Sequence, residues 1–374
     1  MMMSKQHTII LLLVCLLLPA CVLGESDNSG GQWQGTVQSR EGPRQERVHP
    51  FLVTNTGGEE AFGNPNGDIH DHLADVDFWT DQLGWACGYG GVFKTVDGGL
   101  TWRRMKPRGG WYHIRMTGPN KIWLLEGFWG QGKANLWHTV DGGKTWNVVL
   151  QGKTQGWNDL FCRGEERWIL CGGYQSYFSH DDGATWNPIP FNGLINGALH
   201  LAIPGDAPTN EKGGFVAYVL GNWGPHLRLV KSVDGGENWK IVPIPEDFAS
   251  LSYWPSAMFF SDSMHGWIGS GEGELLYTSD GGSTWQREHL PTKQSVCAIW
   301  FDRLGRGYVS ALNNDMNHPM VSVYMSLNHG ETWIPALEGH KQINAFCSLG
   351  GKLWGVGNEP ANVPEDLVII TDNP

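Results

Sequence analysis

An eight-residue pattern, Ser/Thr-x-Asp-x-Gly-x-Thr-Trp, recurs six times and constrains the fold of this chain more than any other feature. Its carboxylate and hydroxyl oxygens accept hydrogen bonds from turn amides, and its glycine supplies a positive φ. We therefore predict six hairpin turns that tie themselves together, with Thr-Trp opening the next strand and burying a large ring. The copies run from Thr95 to Trp102, Thr139 to Trp146, Ser179 to Trp186, Ser232 to Trp239, Thr278 to Trp285 and Ser326 to Trp333.

The acidic residues of the pattern are predicted to be structural rather than catalytic, because each belongs to its own turn. They are Asp97, Asp141, Asp181, Asp234 and Asp280. Two copies depart from the pattern: Asn238 replaces the threonine of the fourth, and Asn328 replaces the aspartate of the sixth.

The spacing of the copies predicts the architecture. From Trp to Trp the intervals are 44, 40, 53, 46 and 48 residues, the length of one four-stranded propeller blade. Strand-like sequence follows the sixth copy, from Ile343 to Cys347, Lys352 to Gly355 and Asp366 to Thr371. We predict an all-β, seven-bladed β-propeller. Its ring is closed by an N-terminal strand, from either Gln32 to Gln38 or Arg47 to Thr54, because closure removes exposed sheet edges.

The pattern also predicts individual strands. In the first unit they run from Asp75 to Thr80, Gly84 to Cys87, Gly91 to Thr95 and Thr101 to Met105. In the fifth they run from Ala257 to Phe260, Gly266 to Ser270, Glu274 to Thr278 and Thr284 to Arg287.

Several of these segments resemble a known family. Asp75-Val76-Asp77-Phe78, Gly84-Trp85-Ala86-Cys87-Gly88, Phe93 to Gly99 and His265-Gly266-Trp267-Ile268-Gly269 are similar to the photosystem II stability and assembly factor family. That family belongs to the wider group of BNR or Asp-box propellers, which includes sialidases, sortilin-type receptors and xyloglucanases. The resemblance covers about residues 70 to 372. It implies the fold more than the function, because Asp boxes occur in enzymes and non-enzymes alike.

The first residues predict export. Lys5 precedes an apolar run from Ile9 to Leu18, which is typical of a secretory signal and too short for a permanent membrane span. Leu18-Pro19-Ala20-Cys21 resembles a bacterial lipobox, so residues 1–21 are predicted to be a signal peptide with lipidation at Cys21. The alternative is ordinary cleavage near Gly24. We expect a periplasmic or outer-surface lipoprotein, or else a secreted protein.

Residues 22–46 predict a flexible tether, and residues 47–374 a single propeller domain. Five cysteines follow Cys21. Cys162 and Cys171 flank a predicted turn and are candidates for a disulfide; alternatively all five are small buried strand residues.

Charge excludes one class of partner. The chain has 26 Lys+Arg against 38 Asp+Glu, so it lacks the basic balance that nucleic-acid binding requires. One segment departs from this acidic balance and contains a cluster of cations interleaved with Trp111 and Tyr112. The cations are Arg103, Arg104, Lys106, Arg108 and Arg115. These cations are interpreted either as a dock for an anionic partner or as a solvated outer strand. The resembling assembly factors are thought to hold a partner chain with a basic patch.

Function in propellers usually gathers at the face opposite such turns. The binding candidates there are Trp111, Tyr112, His113, Trp157, Asp159, His200 and Trp254, with Tyr89, Trp129, Tyr174, Tyr177, Trp223 and His226 on inner loops. They either form a ligand-binding ring or pack between blades.

Catalytic signatures are sparse. The chain lacks the Arg-Ile-Pro stretch of sialidases, and His70-Asp71-His72 has no third metal ligand at a known spacing. We predict no metal and no cofactor. The leading hypothesis is a non-catalytic, monomeric propeller that binds a protein or peptide partner and touches a membrane only through its lipid anchor. The alternatives are a carbohydrate-active enzyme, a glycoside hydrolase or polysaccharide lyase, and a non-catalytic module that binds extracellular glycan.

Overall fold

The computed structural model describes residues 52–55, 73–127, 134–154, 159–169, 176–204, 215–224, 226–251, 257–312, 321–338, 342–358 and 367–372. These residues form seven four-stranded antiparallel sheets and one short helix, α1 (Glu246–Leu251). All described strands lie in the compact unit Val48–Pro374. The predicted signal peptide, Cys21 and the tether lie outside the described residues. Within the described ranges no helix has the length and hydrophobicity needed to span a membrane.

The first fourteen strands are β1 (Leu52–Asn55), β2 (Leu73–Phe78), β3 (Gly84–Gly88), β4 (Gly91–Thr95), β5 (Arg103–Lys106), β6 (Trp111–Met116), β7 (Ile122–Glu126), β8 (Ala134–Thr139), β9 (Asn147–Thr154), β10 (Leu160–Arg163), β11 (Glu166–Ile169), β12 (Tyr177–Ser179), β13 (Asn187–Pro188) and β14 (Gly197–Ala202). The remaining strands are β15 (Ala217–Trp223), β16 (His226–Ser232), β17 (Lys240–Val242), β18 (Ala257–Phe260), β19 (Gly266–Gly269), β20 (Glu274–Thr278), β21 (Gln286–His289), β22 (Val296–Phe301), β23 (Gly307–Ala311), β24 (Val321–Ser326), β25 (Ile334–Glu338), β26 (Gln342–Leu349), β27 (Lys352–Asn358) and β28 (Leu367–Asp372).

Sheets 1 to 6 each contain four consecutive strands, beginning with β2–β5 and ending with β22–β25. The first strand of one sheet packs beside the first strand of the next, as in the pairs β2 with β6, β18 with β22 and β22 with β26. Between sheets 3 and 4, Asp159 Oδ2 accepts a hydrogen bond from Leu201 N at 3.0 Å. Successive sheets packed through their first strands define an all-β propeller, so this part of the predicted fold class is confirmed.

Sheet 7 takes its fourth strand from the N-terminal side of the domain. Its order is β26–β27–β28–β1, with Leu52 opposite Ile370 and Asn55 opposite Leu367. Of the two segments predicted to supply this strand, Arg47 to Thr54 overlaps β1. The other, Gln32 to Gln38, lies outside the described residues. Sheet 7 also packs against sheet 1, where Trp354 Nε1 donates to the Gly98 carbonyl at 2.9 Å.

The six turns of the repeated pattern share one set of hydrogen bonds. In the first, Thr95 Oγ1 accepts from Gly99 N at 2.9 Å and donates to Asp97 Oδ1 at 2.8 Å. Asp97 Oδ1 also accepts from Thr101 N at 2.9 Å. In the sixth turn the amide oxygen of Asn328 takes the same place and accepts from Thr332 N at 3.0 Å. Each turn is therefore tied by its own side chains, and in the first turn both carboxylate oxygens of Asp97 accept hydrogen bonds from within the turn.

The prediction that Thr-Trp opens the next strand is wrong. Strand β5 begins at Arg103 and β21 at Gln286, each two residues later than predicted. The reason is that Thr101 still binds Asp97, while Trp102 folds back so that its Nε1 donates to the Gly99 carbonyl at 3.0 Å.

Each sheet contributes one buried ring to the core between sheets, at the second or third residue of its second strand. These rings are fully buried or nearly so: Trp85, Trp123, Trp168, Tyr218, Trp267, Tyr308 and Trp354. Several lie directly under the turn of the next sheet. A Cβ on Gly143, for example, would lie 2.5 Å from the Trp85 ring. Gly143 also has a φ of 85°, so both packing and backbone conformation require glycine there.

The described cysteines Cys87, Cys162, Cys297 and Cys347 all lie in strands and carry free thiols. Cys171 lies outside the described residues, so the Cys162–Cys171 disulfide stays a prediction. Burial raises the pKa of Cys162 to about 12, so its thiol stays protonated and unreactive at neutral pH.

Candidate functional site on the loop face

The two ends of the sheets carry different connections. The repeated turn lies beside the turn between the first and second strands, because Gly98 N donates to the Gln82 carbonyl at 2.9 Å. At the opposite end, which we call the loop face, the β5–β6 connection meets the β3–β4 turn through Gly109 N and the Tyr89 carbonyl, 3.2 Å apart. This end carries the connections between sheets, where the sequence predicted function.

We call Tyr89, Tyr112 and Arg108 the loop-face patch, because all three lie at this end of sheets 1 and 2 and Arg108 immediately precedes Gly109, which binds the Tyr89 carbonyl. The Tyr89 and Tyr112 hydroxyls are 2.7 Å apart, and their rings meet edge to face with centroids separated by 5.9 Å. Desolvation and this hydrogen bond raise the pKa of Tyr112, so it remains a neutral phenol. Tyr89 is 41% exposed, and Arg108 is exposed in the β5–β6 connection. The patch therefore combines two hydrogen-bonded phenol rings with an exposed cation in the neighbouring connection.

The other cations of the predicted cluster lie in different surroundings. Arg103 is exposed opposite Lys94, at the far end of β5. Arg104 is half-buried, with its guanidinium 5.4 Å from the centre of the Phe93 ring. Lys106 turns toward sheet 2, and Trp111 there is buried with its Nε1 donating to the Pro107 carbonyl at 3.0 Å. Alternating strand geometry thus separates residues that are neighbours in sequence.

His113 and Arg115 lie at the boundary of the innermost strands. His113 Nδ1 is 3.2 Å from Asp75 Oδ2, and Arg115 binds the same oxygen. Asp75 is buried and also accepts from Ile114 N at 3.1 Å. Burial would raise the pKa of Asp75, but the charge of Arg115 and the hydrogen bond from His113 outweigh it and hold that pKa below its usual value.

Asp77 lies two residues further along β2 and has the opposite shift. Burial raises its pKa to about 6, although Arg115 and the amide of Met116 act to lower it. Two carboxyls with divergent pKa values can mark an acid and a base. Here, however, Asp77 Oδ2 accepts from Met116 N at 2.7 Å, just as Asp75 accepts from Ile114 N. Both carboxyls therefore tie β2 to β6, and the sequence argument missed this role.

Asp159, a predicted binding residue, has the same kind of contact, since its Oδ2 accepts from Leu201 N and its Oδ1 from Leu160 N.

His200 is half-buried in β14. Trp223 is 38% exposed and His226 is exposed, both at the β15–β16 turn, while Tyr177 packs into the core of sheets 2 and 3. Predicted residues outside the described part of the chain are His70, Asp71, His72, Trp129, Trp157, Tyr174 and Trp254.

A cavity of about 460 Å³ lies between the end of β13 and the start of β14. Its walls include Pro188, Ile189, Phe191 and Ile195, with Ser176 and Asn196 as polar groups. In the described part of the chain, no three His, Cys, Asp or Glu side chains are arranged to hold a metal ion.

No protein-family model matches the sequence, and no curated protein matches it. Solved structures do. YCF48 from Cyanidioschyzon merolae has a TM-score of 0.59 and 16% identity, covering 81% of this chain and 96% of that chain. A structure of YCF48 bound to D1 peptide has a TM-score of 0.61 and 14% identity, covering 88% and 96% of the two chains.

The GH74 xyloglucanase from Xanthomonas campestris has a TM-score of 0.63 and 14% identity, covering 87% of this chain but 54% of the enzyme. At these identities the similarity establishes the propeller fold and leaves function to the residues of this chain.

Proposed function

We propose that this chain is an exported, non-catalytic propeller that binds a protein or peptide partner at the loop face, in the manner of an assembly or stability factor. The observation that carries the proposal is the loop-face patch: Tyr89 and Tyr112 are hydrogen-bonded to each other, and exposed Arg108 immediately precedes Gly109, whose N donates to the Tyr89 carbonyl. The similarity of fold to YCF48 bound to D1 peptide supports it, because that propeller accommodates a peptide.

The chemistry of the patch favours an anionic segment of the partner. Arginine binds carboxylates through two parallel hydrogen bonds, and tyrosine rings supply contact area at a small entropic cost. The whole chain has a formal charge of -12 and would repel an acidic peptide elsewhere, so an exposed arginine at the loop face would direct such a peptide to this patch.

The test is fluorescence anisotropy with labelled short peptides that share aromatic positions and differ in carrying Glu or Lys. We expect the acidic peptide to bind, and Arg108→Glu to weaken it by about tenfold or more. Arg103→Glu is the matched control, because it makes the same charge change at the other end of β5. Equal affinity for both peptides, or equal losses in both variants, would overturn the proposal.

A carbohydrate-active role is the second candidate. The observation that favours it is Trp223, whose indole is exposed at the loop face and has the Arg228 guanidinium 4.4 Å from its ring centre. An exposed indole can stack on a sugar ring. Incubation with a panel of polysaccharides would release reducing ends or unsaturated uronates from an enzyme, and Trp223→Ala should abolish that release. Binding without release would instead indicate a glycan-binding module.

Export and anchoring are part of the proposal. We infer that residues 1–21 direct secretion and that Cys21 is lipidated, on the basis of the apolar run and the lipobox-like Leu18-Pro19-Ala20-Cys21. Globomycin should block processing, and Cys21→Ala should release the protein from membranes. Processing that is insensitive to globomycin would support ordinary signal cleavage.

We also propose that the seven sheets form one closed ring of seven blades, of which sheets 1 to 6 carry an Asp-box turn, with β1 as the closing strand. The pairing of Val53 with Ile369 and the contact between Trp354 and Gly98 support this. Cysteines at positions 53 and 369 should form a disulfide on oxidation, detected by mass spectrometry after digestion. Cysteines at 53 and 358 are the control, and equal cross-linking of both pairs would contradict closure by β1.

A further inference from the structure

Lys106 lies in a cage of three tryptophan rings between sheets 1 and 2. Its Nζ is 4.3 Å from the centre of the Trp137 ring, 5.0 Å from that of Trp111 and 5.2 Å from that of Trp146. These rings come from β8, from the start of β6 and from the end of the second repeated turn. We call this group the tryptophan cage. Trp111 is buried, whereas Trp137, Trp146 and Lys106 are each partly exposed, so the cage can be reached from solvent.

A carboxylate accompanies the rings. Glu126 Oε2 accepts from Trp137 Nε1 at 2.7 Å and from Asn135 Nδ2 at 2.9 Å, so its position is fixed from two sides. Its charge acts on Lys106 without direct contact between the two groups. Three π faces and one oriented carboxylate are the features that recognise a cation lacking hydrogen-bond donors.

Lys106 is a poor occupant of this cage. Among the described residues its Nζ has no hydrogen-bond or ion-pair partner, although a primary ammonium carries three donors. Burial lowers the pKa of Lys106, which shows that the environment disfavours its charge despite the attraction of Glu126. A quaternary ammonium has no donors to satisfy and is more weakly hydrated, so it fits the same surroundings better. The lysine side chain is long and can leave without moving the backbone.

We propose that the tryptophan cage is a binding site for a quaternary ammonium group, with Lys106 as its displaceable occupant. Trp111, Trp137 and Trp146 provide the cation–π contacts, and Glu126 provides the counter-charge. The site is separate from the loop-face patch and does not depend on the proposed function.

Choline is the probe for this site, and 3,3-dimethyl-1-butanol, its uncharged analogue of the same shape, is the control ligand. Isothermal titration of the full chain should show saturable binding of choline and none of the alcohol. Lys106→Ala should tighten choline binding by about tenfold, because the competing ammonium is gone. Trp137→Ala should abolish it, and Trp137→Phe should leave an intermediate affinity because a weaker π face remains. Trp223→Ala, which removes an exposed indole elsewhere, should change nothing.

Free choline and phosphatidylcholine carry the same group, and sedimentation with phosphatidylcholine vesicles distinguishes them. If free choline or the vesicles bind the wild type but not Trp137→Ala, the result supports the site and shows which form of the quaternary ammonium it takes. Three results would overturn the proposal: no saturable binding of either form, equal binding of choline and its uncharged analogue, or binding by Lys106→Ala alone. The last would show that Lys106 occupies the cage permanently in the native chain.

Discussion

The ring of Trp354 in sheet 7 stacks on the ring of Phe78 in sheet 1, with centroids 3.9 Å apart and an angle of 14° between their planes. The two residues are far apart in sequence, yet they make the same contact that joins consecutive sheets elsewhere. Tyr218 stacks on Phe260 at 3.8 Å, and Trp267 stacks on Phe301 at 4.0 Å. The boundary between the last and first sheets is thus built like those between sequence neighbours.

Trp354→Ala should destabilise the whole domain. The substitution removes a fully buried ring, its stack on Phe78 and its hydrogen bond to the Gly98 carbonyl. We expect the free energy of unfolding to fall by about 3–5 kcal/mol, measured by urea denaturation. Trp79→Ala, at a tryptophan that is 43% exposed, is the control and should cost far less. Similar losses in both variants would contradict a packed boundary between sheets 7 and 1.

Gly143→Ala should cost more stability than Gly164→Ala. Both glycines have positive φ, 85° and 54°, so both alanines incur backbone strain of about 1–2 kcal/mol. Only at Gly143 would the new Cβ meet the Trp85 ring at 2.5 Å, since nothing lies within 4 Å of a Cβ on Gly164. Overpacking should add about 1–3 kcal/mol in chemical denaturation. Equal effects would show that the ring can move aside.

The acidic side chains of the repeated turns should make stability depend on pH in strongly acidic solution. Hydrogen bonds from Thr145 and Thr139 lower the pKa of Asp141 to about 2, from a reference value of 3.8. The pKa is depressed on folding, so this stabilisation is present above about pH 3.8 and is lost as pH falls through 2. The melting temperatures of wild type and Asp141→Ala should therefore converge at low pH.

Asp141→Asn is the conservative partner of that variant. It should be milder than Asp141→Ala, because Asn328 accepts the equivalent hydrogen bonds in the sixth turn. A larger loss from asparagine than from alanine would contradict the role assigned to the side-chain oxygen.

Asp77 should make the free energy of unfolding depend on pH in the opposite direction, because its pKa is raised on folding to about 6. Its contribution is complete below about pH 3.8 and is lost as pH rises through 6, by at most about 3 kcal/mol. Unfolding free energies measured from pH 4 to 7 should show this decline in wild type, and Asp77→Asn should remove it. A carboxyl carbon of Asp77 that titrates near pH 4 by NMR would refute the predicted shift.

The turn-forming residues made much of the fold predictable. Thr, Asp and Gly at fixed offsets specify a local hydrogen-bond set, so β4, β18 and β20 lie within the predicted limits. The outer strands begin later than predicted, because Thr101 and Trp102 remain part of the turn. Strand propensity does not predict this difference, because it depends on side-chain hydrogen bonds within the turn.

The candidate site was less predictable, since it depends on which sheets face each other. Arg103 and Arg108 were grouped by sequence proximity, but Arg103 begins β5 and Arg108 lies beyond its other end, in the β5–β6 connection. The contacts of Asp77 with Met116 and of Lys106 with Trp137 join sheet 1 to sheet 2. The charged pair in Asp75-Val76-Asp77 was the available signal, because carboxylates within a buried strand require partners.

In several of the repeated turns the glycine and the buried ring under it belong to different sheets, as with Gly143 and Trp85. One repeat therefore encodes both a turn glycine that covers the ring of the preceding sheet and a buried ring that the turn of the next sheet covers. Duplicating a repeat in the gene would copy both complementary halves together, so an added unit would mate with its neighbours without further change. This self-complementarity gives a physical route by which such propellers gain or lose blades in evolution.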